Sequence, residues 1–165
     1  MNTDDLAKVE QIAALFKAVK GRLGVVESCT GGGLGHVLTS VPGSSEWFEG
    51  GLITYSNRVK MKSVYVREST LEQQGAVSED CAKEMANGGM IALGVDCCLS
   101  ITGIAGPEGG SPEKPVGTVW FGLAVRHRSI EAFCCQFDGD RAEVRTRAIQ
   151  EGLAILAKVS LRKAV

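Results

Sequence analysis

Val95 to Gly103 reads Val-Asp-Cys-Cys-Leu-Ser-Ile-Thr-Gly, a nearly continuous apolar run. A strand that covers one face of a sheet alternates polar with apolar residues; a run like this one is covered on both faces. Helices must then pack on each side, and the chain supplies them. An apolar stripe of Leu6, Val9, Ile12, Ala13, Leu15, Phe16 and Val19 predicts a helix over Asp4 to Lys20, stopped by Gly21. Ser78 caps a second long helix ending near Leu93, and Asp140 to Lys158 forms a third. Shorter helical segments are expected around Leu34, Val37 and Leu38, from Asn57 to Val64, and over Thr70 to Gln74. Strands are expected at Leu23 to Glu27, Gly50 to Ser56, Val116 to Arg126 and Ile130 to Phe137. The last two, joined by His127-Arg128-Ser129, form one clear antiparallel pair, so the sheet is mixed. The order predicts an α/β fold: a three-layer α/β/α sandwich on a mixed, mostly parallel sheet of about five strands. No linker or repeat divides the 165 residues, which suit one domain over 1–165.

Composition removes several classes of function. A net charge of -1 argues against a broad nucleic-acid-binding face, which needs a basic excess. No apolar run is long enough to span a bilayer, and the opening Met-Asn-Thr-Asp-Asp is acidic rather than signal-like. A cytoplasmic protein without membrane association is expected. The six cysteines include two adjacent pairs, Cys97-Cys98 and Cys134-Cys135, inside expected buried strands. Neighbours on a strand point to opposite faces and rarely bridge. They read as small hydrophobes, and neither His36 nor His127 is spaced with a cysteine as a zinc ligand.

Glycine is abundant, 21 of 165 residues, and clustered. Clustered glycine marks backbone that turns sharply or approaches something closely, here the rim of a site. Leu23 to Glu27 runs directly into Ser28-Cys29-Thr30-Gly31-Gly32-Gly33-Leu34-Gly35-His36. A strand feeding a Gly-rich turn into a helix start can bind anions. Free N–H groups there, with the Ser28 and Thr30 hydroxyls, are expected to hold a phosphate or carboxylate. The competing reading is close strand–helix packing. The turn carries neither the Walker A spacing nor the dinucleotide fingerprint, whose third glycine would fall at His36.

Gly43 to Lys60 packs Ser45, Tyr55 and Lys60 into one short segment. A turn, a strand and a helix start can return a lysine amine towards a serine hydroxyl. Serine needs a base to accept its proton, and a buried, neutral lysine can be that base. The competing reading is a hairpin-like turn beside a solvated lysine.

Ile104 to Pro115 holds three prolines and three glycines from Gly106 onward, which excludes regular structure. It starts at the end of an apolar strand, where α/β sheets place ligands. Arg141 opens the last helix; it is either a solvated charge or a guanidinium aimed at an anionic ligand.

Together these residues resemble the CinA C-terminal domain, the family of PncC-type nicotinamide-nucleotide amidases. The motifs are Glu27-Ser28-Cys29-Thr30-Gly31-Gly32, Gly43-Ser44-Ser45 with Trp47-Phe48, Tyr55-Ser56-Asn57 with Lys60, and Gly75-Ala76-Val77-Ser78. Thr102-Gly103-Ile104-Ala105-Gly106-Pro107, Lys114-Pro115-Val116-Gly117-Thr118-Val119 and Gly139-Asp140-Arg141 continue the series. The resemblance implies hydrolysis of the carboxamide of nicotinamide mononucleotide to nicotinate mononucleotide and ammonia, with no metal and no cofactor. It implies Ser45 as nucleophile, Lys60 as base and Tyr55 as third member. It places Ser28, Thr30, Gly31, Gly32, Thr102, Gly103 and Arg141 at the substrate; on such a cationic substrate, the aromatic face of Trp47 or Tyr55 is expected to meet the pyridinium. It also implies a homodimer and a stand-alone form of the domain. The rival expectations are an amidase for another amide, a nucleotide-binding or competence-associated interaction module, and a metal hydrolase.

Overall fold

The computed structural model describes residues 2–161. Helix α1 (Thr3–Val19) leads into strand β1 (Leu23–Glu27) and helix α2 (Gly33–Leu38). A 3-10 turn at Ser44–Glu46 precedes β2 (Phe48–Ile53), and α3 (Asn57–Val64), α4 (Glu68–Gln74) and α5 (Glu79–Leu93) follow. The chain finishes with β3 (Cys97–Gly103), β4 (Thr118–Val125), β5 (Glu131–Gln136) and α6 (Arg141–Ala157). The sheet order is β2-β1-β3-β4-β5. β1 pairs in parallel with β2 and β3, while β3–β4 and β4–β5 are antiparallel. Four strands therefore share one direction and β4 alone opposes them.

The sequence suggests one antiparallel pair, and the fold has two. The long segment after Gly103 returns the chain beside β3 instead of crossing the sheet. Backbone bonds between Ile104 and both Gly117 and Thr118 close its base. The second strand also begins earlier than expected, at Phe48 rather than Gly50. Gly50 and Gly51 lie within it, opposite Gly24 and Val25 of β1. A Cβ at Gly51 would come 2.8 Å from the Val25 side chain, so this pairing favours glycine.

Both faces of the sheet are covered. Val25, Cys97, Leu99 and Ile101 join one core with residues of α1, α2 and α6. Val26 and Cys98 turn to the other side, into a core with Val64, Cys81 and Met85. The opposed cysteines at 97 and 98 follow from the pleat. At the edge strand β5, Cys134 is exposed and Cys135 only partly buried, which departs from the buried strand expected there. β5 has a neighbour on one side alone, so its outer residues face solvent. Gly88 marks a close approach: a Cβ there would lie 1.8 Å from the Val64 carbonyl oxygen. α3 and α5 touch backbone to backbone at this point, and α3 carries Lys60.

Candidate active site

Ser28 follows β1 directly, at the carboxyl end of a central parallel strand. Its N–H donates to the Ile101 carbonyl of β3 at 2.9 Å, which holds the residue to the sheet. The chain then turns through Gly31 (φ +60°) and Gly32 (φ +94°), both left-handed, and enters α2. Glu27 organises this turn. Its carboxylate accepts from the N–H of Gly32 (3.1 Å), Leu34 (3.1 Å) and Gly35 (2.8 Å). The side chain is only 2% exposed. The protein's own carboxylate thus fills the anion-binding position expected for a ligand at Gly31 and Gly32. Neither these glycines nor Thr30 lines the adjacent cleft; Thr30 is fully buried.

Lys60 arrives from the other side, on the first turn of α3, whose N-cap is Ser56. Its side chain is 1% exposed. Nζ lies 3.0 Å from Ser28 Oγ, 2.8 Å from the Thr54 carbonyl oxygen and 3.3 Å from that of Tyr55. Burial pushes the amine below its ordinary pKa of 10.5, partly opposed by the neighbouring Cys81 and Cys29 thiols. Burial in turn raises both thiols to about 11. Among the described residues Lys60 forms no ion pair. A neutral amine has two N–H groups and one lone pair. The two carbonyls take the former, and the lone pair is left for the Ser28 hydroxyl.

The structure does not bring Ser45 to this amine. Ser45 sits in the 3-10 turn before β2, whereas Lys60 follows β2. The six residues of that strand separate the two ends by about 20 Å. The Ser45 carbonyl accepts from Arg22, which precedes β1, so Ser45 belongs to the amino-terminal rim of the sheet. Its hydroxyl is exposed there. A Ser/Lys pair does exist, but its serine is Ser28, which the sequence reading assigns to substrate binding. The missed signal is polarity along the chain: Ser28 follows a parallel strand and Ser45 precedes one, and α/β sheets place ligands at carboxyl ends.

A cleft of about 240 Å³ opens over the pair, with walls that include Ser28, Cys29, Tyr55, Asn57, Lys60, Ala76, Thr102, Gly103 and Arg141. The Thr102 hydroxyl donates to the Ala76 carbonyl at 2.8 Å and ties the two walls together. Tyr55 reaches Lys60 through its carbonyl rather than its phenol. The phenol accepts from Arg141 at 3.3 Å, and the ring is 62% exposed. Arg141 also donates to the Gly106 carbonyl at 2.9 Å, linking the first turn of α6 to the long loop. Trp47, an expected pyridinium partner, is instead wholly buried beside Phe16, away from the cleft. Asn57, Ala76, Val77 and Ala105 join the lining without having been picked out as site residues. They are small or common residues, and only tertiary contact gathers them.

Comparison with known proteins follows the same lines. A nicotinamide-nucleotide amidohydrolase PncC from Enterobacter agglomerans is 50% identical over 138 residues, 84% of each chain. A CinA-like protein from Thermotoga maritima is 47% identical over 93% of this chain, which spans 36% of that longer protein. The crystal structure of a competence/damage inducible protein from Agrobacterium tumefaciens superposes with a TM-score of 0.91. It is 33% identical, over 94% of this chain and 95% of that one. None of the helices described is long and apolar enough to cross a membrane. The model of the CinA C-terminal domain matches residues 5–160, and the chain belongs to that family.

Proposed function

We propose that this protein hydrolyses the carboxamide of nicotinamide mononucleotide to nicotinate mononucleotide and ammonia, with Ser28 as nucleophile and Lys60 as its base. The observation that carries the reading is the buried amine 3.0 Å from the Ser28 hydroxyl, with two carbonyls on its remaining side. The PncC relatives, named as nicotinamide-nucleotide amidohydrolases, support the choice of substrate.

Lys60 accepts the Ser28 proton as Oγ attacks the carboxamide carbon. The electron-poor pyridinium makes that carbon electrophilic. The N–H of Cys29, which lines the cleft beside Ser28 and donates to no residue other than its own thiol among those described, is the donor assigned to the developing oxyanion. The Lys60 ammonium returns its proton to the leaving nitrogen, which departs as ammonia and leaves an ester on Ser28. A water deprotonated by Lys60 then attacks the ester; as the acyl–Oγ bond breaks, the Lys60 ammonium returns the proton to Ser28 Oγ, and the acid product leaves as the carboxylate, giving its proton to solvent. Arg141 supplies positive charge at the cleft mouth for the substrate phosphate. The exposed Tyr55 ring offers its face to the pyridinium cation.

The test is ammonia release from nicotinamide mononucleotide by wild-type protein, Ser28→Ala and Lys60→Ala. Turnover by the wild type, with both variants inactive but still binding nucleotide, is the expected result. Binding without ammonia release by the wild type would make the domain a nucleotide-binding module. A panel of other amides separates this substrate from its relatives.

A further inference from the structure

Arg145 takes no part in the chemistry above, yet its guanidinium is tied to the turn that carries Ser28. It projects from α6 and donates from Nη2 to the Thr30 carbonyl at 3.1 Å. Its Nε is buried and without a partner, and no carboxylate pairs with it among the described residues. A partly buried arginine with no counter-ion leaves its charge acting on whatever lies beside it, here the Thr30–Gly31 peptide.

That peptide continues inward. The Gly31 N–H donates to the Ser28 carbonyl at 3.1 Å. On the opposite edge of the Ser28–Cys29 peptide lies the Cys29 N–H, which faces its own thiol and, among the described residues, donates to no other. The order is guanidinium, Thr30 carbonyl, Gly31 N–H, Ser28 carbonyl, Cys29 N–H. Each carbonyl that accepts a bond becomes part of a more polarised peptide, whose N–H is a stronger donor. The last N–H in the series sits one bond beyond the nucleophile.

We infer that Arg145 is a positioning residue for the reaction: through two linked peptides it strengthens and orients the Cys29 N–H as a donor to the oxyanion. The inference rests on the amidase reading. An alternative is that Arg145 merely fastens α6 to the turn.

The experiment compares wild type, Arg145→Met and Arg145→Lys by steady-state kinetics on nicotinamide mononucleotide and by amide NMR. Methionine keeps the apolar stem and removes the charge; lysine restores a charged N–H. Loss of one oxyanion donor outright costs about a hundredfold or more, so loss of its polarisation should lower kcat on the order of tenfold in Arg145→Met. KM should stay within about twofold, because ground-state binding does not use this donor. The Cys29 and Gly31 amide protons should shift upfield in Arg145→Met and recover in Arg145→Lys, together with most of kcat. Unchanged kcat and amide shifts in Arg145→Met would overturn the inference. So would a loss shared by kcat and KM that lysine does not restore. If the wild type releases no ammonia, the amidase reading fails, and the Cys29 shift still decides whether the relay exists.

Discussion

The Lys60 amine lies 3.0 Å from the Ser28 hydroxyl although 32 residues separate them in the chain. β1 delivers the serine at its carboxyl end, and α3 returns the lysine over the same end. No carboxylate pairs with it among the described residues, and burial lowers its pKa, the direction that favours the basic amine.

Two serines can be told apart by this geometry. Ser28→Ala should lower kcat by about a thousandfold or more, since the nucleophile and base act as one unit. Ser45→Ala should leave turnover within about twofold and stability within about 0.5 kcal/mol, as at an exposed surface position. Assaying ammonia release on both checks the assignment; a dead Ser45→Ala with an active Ser28→Ala would reverse it.

The pH profile should report Lys60. Its pKa is depressed by burial, so the folded state binds fewer protons there than the unfolded chain. Stability from this group therefore rises with pH between the depressed pKa and 10.5, and falls as the medium is acidified through that window. Catalysis needs the unprotonated amine, so kcat/KM should climb with pH through a midpoint below 10.5. Lys60→Met should abolish activity and flatten the corresponding slope in chemical denaturation measured across pH.

Glu27→Gln removes the charge that accepts three N–H groups at the start of α2. One amide oxygen cannot replace two carboxylate oxygens, and the amide NH2 faces donors. A loss of about 2 kcal/mol is expected. For a chain of this length that lowers Tm by about 5 °C, measurable by calorimetry. Activity should fall as well, because Ser28 is the next residue.

Gly88→Ala drives a Cβ against the Val64 carbonyl oxygen. The backbone cannot yield without separating α5 from α3, and a cost of about 2 kcal/mol is expected. Since α3 positions Lys60, kcat should fall more than KM rises; kinetics and thermal unfolding of this variant test both points.

Much of this protein is written in local pattern. The apolar run at Val95 to Gly103, the stripes of the long helices and the Ser78 cap fix a sandwiched sheet, because burial on two faces and helical periodicity are properties of neighbouring residues. Lys60, Tyr55, Thr102, Gly103 and Arg141, which the family resemblance puts at the site, line the cleft. What the chain does not spell out is which serine meets the lysine and which anion meets the glycine turn. Ser45 is nearer to Lys60 in sequence, but a strand is extended and carries its two ends about 20 Å apart. Ser28 is reached only through the parallel pairing of β1 with β2, a contact between distant segments. Glu27 reads as a strand residue until α2 folds back over it and turns its carboxylate into the turn's own ligand. Periodicity records what each residue faces, whereas the site depends on how strands of one direction bring their carboxyl ends together.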